Sequence, residues 1–471
     1  MSKMTKNAFF THDKLLKNKQ KKSFSTTKKI VIGFALLILV GTILLSLPLA
    51  TANGDINVLT ALFTATTSVC VTGLVVVDTF SYWSLFGKII ILILIQIGGM
   101  GIVAIICGLM MVFHRRVNLK ERIVIQDAYN LHSPQGVIRF VKKVIIGTLL
   151  VESVGALIYM IEFIPIFGIV RGVCYSVFNS ISAFCNAGID IIGSTSLMPF
   201  NDSPIILINT MMLIFNGGIG FVVWWDIVGV IKKLKKREIR VGNVWGLLTI
   251  HTRITLMVTF FLIFVGALLI MLFESNNNGT ISNMKLENKI LNSLFQSVTL
   301  RTAGFASFSQ ENMNGATVFV SIILMLIGGS PVGTAGGVKT TTVFVLLATV
   351  ISVIKGRNET IIFNRSINFD IIKKSLSVVI ITISFFCLFS ILLVCTNDFS
   401  LGDSMFEVAS ALGTVGLTRG ITSELNNFGQ IIIIIAMYLG RIGPISMLVA
   451  FSNRSSSKNS IHYPEADIIV G

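Results

Sequence analysis

Long apolar runs alternate with polar segments through the chain, and they come in pairs. The first members lie near 30–50, 144–165, 252–273 and 375–396, and the second near 86–113, 205–231, 315–354 and 428–451. A helix needs about 20 residues to cross a hydrocarbon core of ~30 Å, so each run is long enough for a span and eight spans are predicted. Between the members of every pair stands an amphipathic stretch of about ten residues, too short to cross the bilayer and able only to dip into it.

These short stretches share a pattern. FTATTSVCVTGL at 63–74, FNSISAFCNAGI at 178–189, FQSVTLRTAGF at 295–305 and FEVASALGTVGL at 406–417 each join an aromatic, small or hydroxyl residues, and a glycine followed by a bulky apolar residue. Gly73, Gly188, Gly304 and Gly416 are spaced by 115, 116 and 112 residues, a repeat that covers nearly the whole chain. The predicted fold is an all-α integral membrane protein of four tandem helix–pore loop–helix repeats, with eight transmembrane spans and four re-entrant pore hairpins around one pseudo-fourfold pore. The repeats are assigned to 30–113, 144–234, 252–354 and 375–451. A basic N-terminus (1–29), linkers (114–143, 235–251 and 355–374) and a C-terminal tail (452–471) separate and flank them.

Composition agrees with a membrane protein: 53% of residues are hydrophobic and 13% charged, too few polar side chains to cover a water-exposed surface. The net charge of +16 would in a soluble protein suggest nucleic acid, but 30 of the 38 Lys and Arg fall in five clusters between or beside the paired runs. Under the positive-inside rule this predicts cytoplasmic clusters and termini, with no nucleic-acid partner. Ala50-Thr51-Ala52 has the look of a signal-peptidase site, yet the basic leader and long first run fit a retained span better. The six cysteines show no C-x-x-C spacing and read as small hydrophobes.

Non-helical backbone at membrane depth is tolerated where it lines a water-filled cavity. Rings of carbonyls can replace a cation's hydration shell, and glycine lets successive carbonyls point one way at positive φ. Thr414-Val415-Gly416-Leu417 stands close to the TVGYG of potassium channels. The other three segments, Val71-Thr72-Gly73, Asn186-Ala187-Gly188 and Thr302-Ala303-Gly304, are looser. At the second filter glycine stand Val75, Asp190, Ala306 and Thr418, so weaker potassium/sodium discrimination than a two-glycine filter is expected.

By these residues the chain resembles the Trk/Ktr/HKT potassium transporter superfamily from about residue 30 onward, and in particular the membrane subunit of the Ktr branch, since it begins directly at the first repeat. The resemblance implies potassium uptake across the bacterial plasma membrane and a homodimer. It also implies a cytosolic ring of nucleotide-binding RCK-type regulatory subunits that would hold the nucleotide, with sodium as a candidate activator and no covalent cofactor. Membrane lipid is the other expected contact of the basic loops.

The run 315–354 would extend roughly 60 Å as one helix, more than a bilayer requires. IGGSPVGTAGGVKTTT at 327–342 breaks it, with Gly328, Gly329, Pro331, Gly333, Gly336 and Gly337. The segment is similar to the family's intramembrane gating loop. Its partial match to a phosphate loop fails at Val338, where that motif needs glycine before the lysine.

Lys339 is expected to latch the loop through lipid phosphate or a carboxylate. Arg441, in YLGRIGPI, needs a cavity or partner in the last span. The resemblance has it face the pore and touch the loop, leaving a structural ion pair as the alternative. Arg301 is expected behind the filter, paired with a carboxylate. Glu152 and Asp226 read as partners for Arg301 or Arg441, or as a coupling-ion site. A sodium- or proton-coupled alternating-access carrier is the rival function. The histidines lie in cytoplasmic stretches and no HExxH or GxSxG motif occurs, so no enzymatic activity is expected.

Overall fold

The computed structural model describes residues 26–113, 117–129, 133, 135–237 and 241–443. The basic leader before residue 26, the C-terminal tail and the end of the last apolar run lie outside the described residues.

Each repeat opens with a long apolar helix: Thr26–Leu45, Val137–Phe167, Ile250–Glu274 and Phe369–Thr396. All four are long and apolar enough to cross a membrane. The second begins well before the predicted 144, because Arg139, Lys142 and Lys143 lower its hydropathy without interrupting helical backbone.

A shorter helix follows in each repeat: Val58–Cys70, Ile169–Cys185, Leu286–Thr299 and Leu401–Gly413. In the second repeat Gly168 alone, at φ 80°, separates it from the long helix before. Asn57, Ser400 and their side-chain oxygens cap the first and fourth short helices. The C-terminal halves of all four are buried, so their negative dipole ends point inward.

Two of the second apolar runs, expected as single spans, are bent. Leu85–Met100 turns by 98° into Ile102–Met111 at Gly101, and Pro204–Gly218 turns by 98° into Phe221–Lys235. The break in the third repeat is the anticipated one, separating Gly315–Leu326 from Thr340–Ile354. In the fourth, Asn427–Ile442 stops at Gly443. The hinges Gly101 and Gly220 and the helix end Gly443 share one backbone state, with φ 84°, 91° and 89°, a region open to glycine.

These helix ends fall at matched sequence: Gly98-Gly99-Met100-Gly101, Gly217-Gly218-Ile219-Gly220, Gly328-Gly329-Ser330-Pro331 and Gly440-Arg441-Ile442-Gly443. A Cβ on Gly98, Gly217 or Gly440 would fall inside 3.0 Å of the carbonyl oxygen of Val69, Phe184 or Leu412, each four residues before a repeat glycine. In these three repeats the first glycine of the pattern therefore seats the second helix against the end of the short helix, whereas Gly328 packs on Gly336 and Gly337 of its own loop.

Candidate functional site

The four repeat glycines meet around one axis. A Cβ on Gly73 would collide with Ala187 O of the second repeat, and one on Gly188 with Ala303 O of the third. From Gly304 it would strike Val415 O of the fourth, and from Gly416 Thr72 O of the first. Each glycine thus faces the backbone of the next repeat, in order, and the cycle closes. All four have positive φ (100°, 63°, 85° and 96°).

A second left-handed position precedes each glycine by two residues: Val71 (φ 56°), Asn186 (φ 63°), Thr302 (φ 77°) and Thr414 (φ 52°). Three of the four are β-branched, a costly placement of about 1–3 kcal/mol each that persists where surrounding structure over-determines it. Hydroxyls provide that constraint. Gly73 N donates to Thr67 Oγ1 at 2.9 Å and Gly416 N to Ser410 Oγ at 3.0 Å. Ser182 and Thr299 instead donate to Ile189 O and Phe305 O, at 2.6 and 2.8 Å.

These four hydroxyl residues each stand four positions after the repeat aromatic. The missing residue of the third repeat therefore lies between Thr299 and Gly304. Sequence reading took the hydroxyls as generic small residues, and their fixed offset from the aromatic was the available signal.

Above the ring opens a mouth of ≈ 380 Å³ lined by the four glycines and by Asp78, Asp190 and Glu311. On the opposite side lies a cavity of ≈ 340 Å³ lined by Gly101, Gly333, Lys339 and Arg441. One face of the ring is acidic and the other basic.

The loop between Leu326 and Thr340 lies against the ring on the basic side. Ser330 N donates to Gly218 O (2.9 Å), Thr334 N to Gly217 O (3.1 Å), and Phe221 N to Val332 O (3.0 Å). Thr334 Oγ1 reaches Phe184 O at 3.3 Å, and a Cβ on Gly336 would strike the Thr414 side chain. Gly328 abuts Gly336 and Gly337, Gly329 abuts Ala335, and Pro331 O packs on Gly220.

Arg441 joins the loop to the first repeat. Its guanidinium donates to Thr334 O, Gly98 O and Gly99 O. It occupies the place held by Gly99, Gly218 and Gly329 in the other repeats, so a cation stands where three neighbours have no side chain.

Other expected partners are replaced. Lys339 Nζ bonds Ala335 O (2.7 Å) and Gly336 O (3.3 Å), carbonyls of its own loop; among the described residues it forms no ion pair with a carboxylate. Arg301 lies behind the ring in a recess with Ile214, Phe215 and Gly329. It meets the Thr259 hydroxyl at 3.4 Å, and among the described residues no carboxylate comes within ion-pair reach.

The two carboxylates likewise pair with neutral groups. Asp226 accepts from Thr249 N, Thr249 Oγ1 and Thr252 Oγ1 at 2.9, 2.8 and 2.6 Å, bracing Thr249, the N-cap of the long helix of the third repeat. Glu152 accepts from Gln96 at 3.0 Å, with Cys185 Sγ at 3.9 Å. Among the described residues neither forms an ion pair with an arginine.

Comparison with known proteins matches residues 1–463 to the family model described as TrkH, cation transport protein. The Ktr system potassium uptake protein B of Bacillus subtilis is 36% identical over 448 residues, covering 95% of this chain and 97% of that one. The potassium/sodium uptake protein NtpJ of Enterococcus hirae is 34% identical, covering 97% and 100%. In fold, the chain is similar to the crystal structure of the potassium transporter TrkH from Vibrio parahaemolyticus. There the TM-score is 0.72 at 16% identity, over 92% of this chain and 86% of that one. The chain belongs to the TrkH family of cation transport proteins.

Proposed function

We propose that this chain is the conducting subunit of a potassium uptake system, and that the ion crosses through the ring at Gly73, Gly188, Gly304 and Gly416. The observation that carries the reading is the closed cycle in which each glycine faces the backbone of the next repeat. Two left-handed positions per segment, one residue apart, orient carbonyls toward the axis, and four short helices aim their negative ends there. Carbonyl dipoles then replace hydration without any full charge in the ring. Filter positions are Val71, Thr72, Asn186, Ala187, Thr302, Ala303, Thr414 and Val415 with the four glycines.

The loop 327–342 is the gate. In the arrangement described it lies under Thr414, and Arg441 pins it by Thr334 O while placing a positive charge on the cation's route. Relatives named as proteins of a Ktr system support work alongside other components of such a system; the family resemblance makes that partner a cytosolic, nucleotide-binding RCK-type ring on a homodimer in the bacterial plasma membrane, and the basic clusters put both termini on the cytoplasmic side.

Reconstituted in liposomes, the native chain should pass potassium, and Gly416→Ser, at φ 96° against Thr72 O, should cut that flux sharply. Sodium as competitor reads selectivity in the same assay. Flux indifferent to Gly416, or strictly dependent on a sodium or proton gradient, would favour the alternating-access carrier instead.

A further inference from the structure

The residue after each repeat aromatic is polar and buried: Thr64, Asn179, Gln296 and Glu407, the last three fully. Six residues past each ring glycine come Thr79, Ser194, Gln310 and Thr422. In the third and fourth repeats these two positions bond each other. Gln296 Nε2 donates to Gln310 Oε1 at 2.6 Å, and Gln310 Nε2 returns a bond at 3.3 Å. Glu407 accepts from Thr422 Oγ1 and, at 2.8 Å, from Thr418 Oγ1.

Thr418 stands two residues beyond Gly416 and lines the mouth, and its hydroxyl also accepts from Gly420 N at 3.2 Å. Arg419 adds an outer tie, to Glu311 O at 2.9 Å and Asp403 at 2.7 Å. The second repeat has no such link: both polar atoms of Asn179 are buried without a partner, and Ser194 is exposed.

We propose that Glu407 is a positioning residue for ion selection: through Thr418 and Thr422 it holds the fourth segment's outer carbonyls at the spacing that favours potassium over sodium. The inference rests on the filter reading above. Glu407 touches neither the axis nor the ion. It acts by stiffening one quarter of the ring, and discrimination depends on how rigidly carbonyls hold their spacing. Two hydroxyls from one segment converging on a single buried carboxyl group tie that segment at two points, where the glutamine pair of the third repeat ties it at one.

The test measures potassium and sodium flux in liposomes for Thr422→Val, Glu407→Gln, Glu407→Ala and Gly416→Ser. Thr422→Val removes a donor at nearly constant volume, and it should lower the potassium-to-sodium ratio by about threefold, with Glu407→Ala lowering it about tenfold. Glu407→Gln, which keeps volume and one acceptor, should fall between them. The double variant Glu407→Gln/Thr422→Val should lose less than the product of the two.

An unchanged ratio in Thr422→Val and Glu407→Gln, with only a lower melting temperature, would overturn the proposal while a flux-deficient Gly416→Ser leaves the filter standing. If Gly416→Ser conducts normally, the filter reading falls first. Should Glu407→Ala fail to fold, the two milder variants still decide.

Discussion

The two faces of the ring are built on opposite rules. On the mouth side the four repeats are near copies, each with a left-handed residue, a glycine two positions on and a hydroxyl four positions after an aromatic. On the other side they diverge: two hinge by 98°, one dissolves into a loop, and one replaces a small residue with Arg441. Selecting an ion by equal coordination asks for symmetry, whereas opening and closing asks for one element free to move. On the proposed reading the chain separates these demands by depth, and charge follows the division, with Asp78, Asp190 and Glu311 lining the mouth and Lys339 and Arg441 lining the opposite cavity.

The comparison is broken most severely by making the copies unequal. Gly188→Ala and Gly304→Ala each force a Cβ onto a neighbouring carbonyl at positive φ, and potassium flux should drop on the order of a hundredfold in either. Similar losses at both would mean the quarters are equivalent; a tolerant repeat would mean that the cycle is functionally open there.

Next in size is Arg441→Ala, which removes bonds to Thr334 O, Gly98 O and Gly99 O. Unregulated flux should rise about tenfold, since charge-assisted hydrogen bonds contribute roughly 1.5–3 kcal/mol. Unchanged flux and regulation would show that the cation is structural. Gly336→Ala, which pushes the loop off Thr414, should raise the leak severalfold, read as potassium loss from preloaded liposomes.

Smaller still, Thr67→Val removes the hydroxyl that receives Gly73 N. It should cost potassium preference about twofold with little loss of rate. Smallest is Asp226→Asn at the start of the third repeat's long helix, where three donors lose a charged acceptor and about 1 kcal/mol of stability should be lost, seen as a lower melting temperature with normal flux.

The mouth side was legible in the sequence because its signal is local and repeated. An aromatic, hydroxyls and a glycine within a dozen residues mark each copy, and the period confirms them. The other side was read only where its glycines and Pro331 cluster densely. Gly101 and Gly220 sit inside apolar runs of the right length for a straight span, so hydropathy alone averages the hinges away.

The four-residue motif that includes Arg441 was missed for a related reason. Its distance from the ring glycine varies, being 25, 29, 24 and 24 residues to Gly98, Gly217, Gly328 and Gly440, so it does not fall on a fixed period. Pairings of Arg301 and Glu152 were beyond reach, because buried charges can be satisfied by hydroxyls, amides and carbonyls as well as by opposite charge.

All four ring glycines belong to one polypeptide. Where identical subunits build a pore, every substitution enters at all positions at once and intermediate doses are inaccessible. Here the ring can be altered one quarter at a time, from Gly73 alone to any pair. Adjacent pairs such as Gly73 with Gly188 can also be set against opposite ones such as Gly73 with Gly304. Such a series would measure directly whether the ion senses the sum of its four walls or only the weakest.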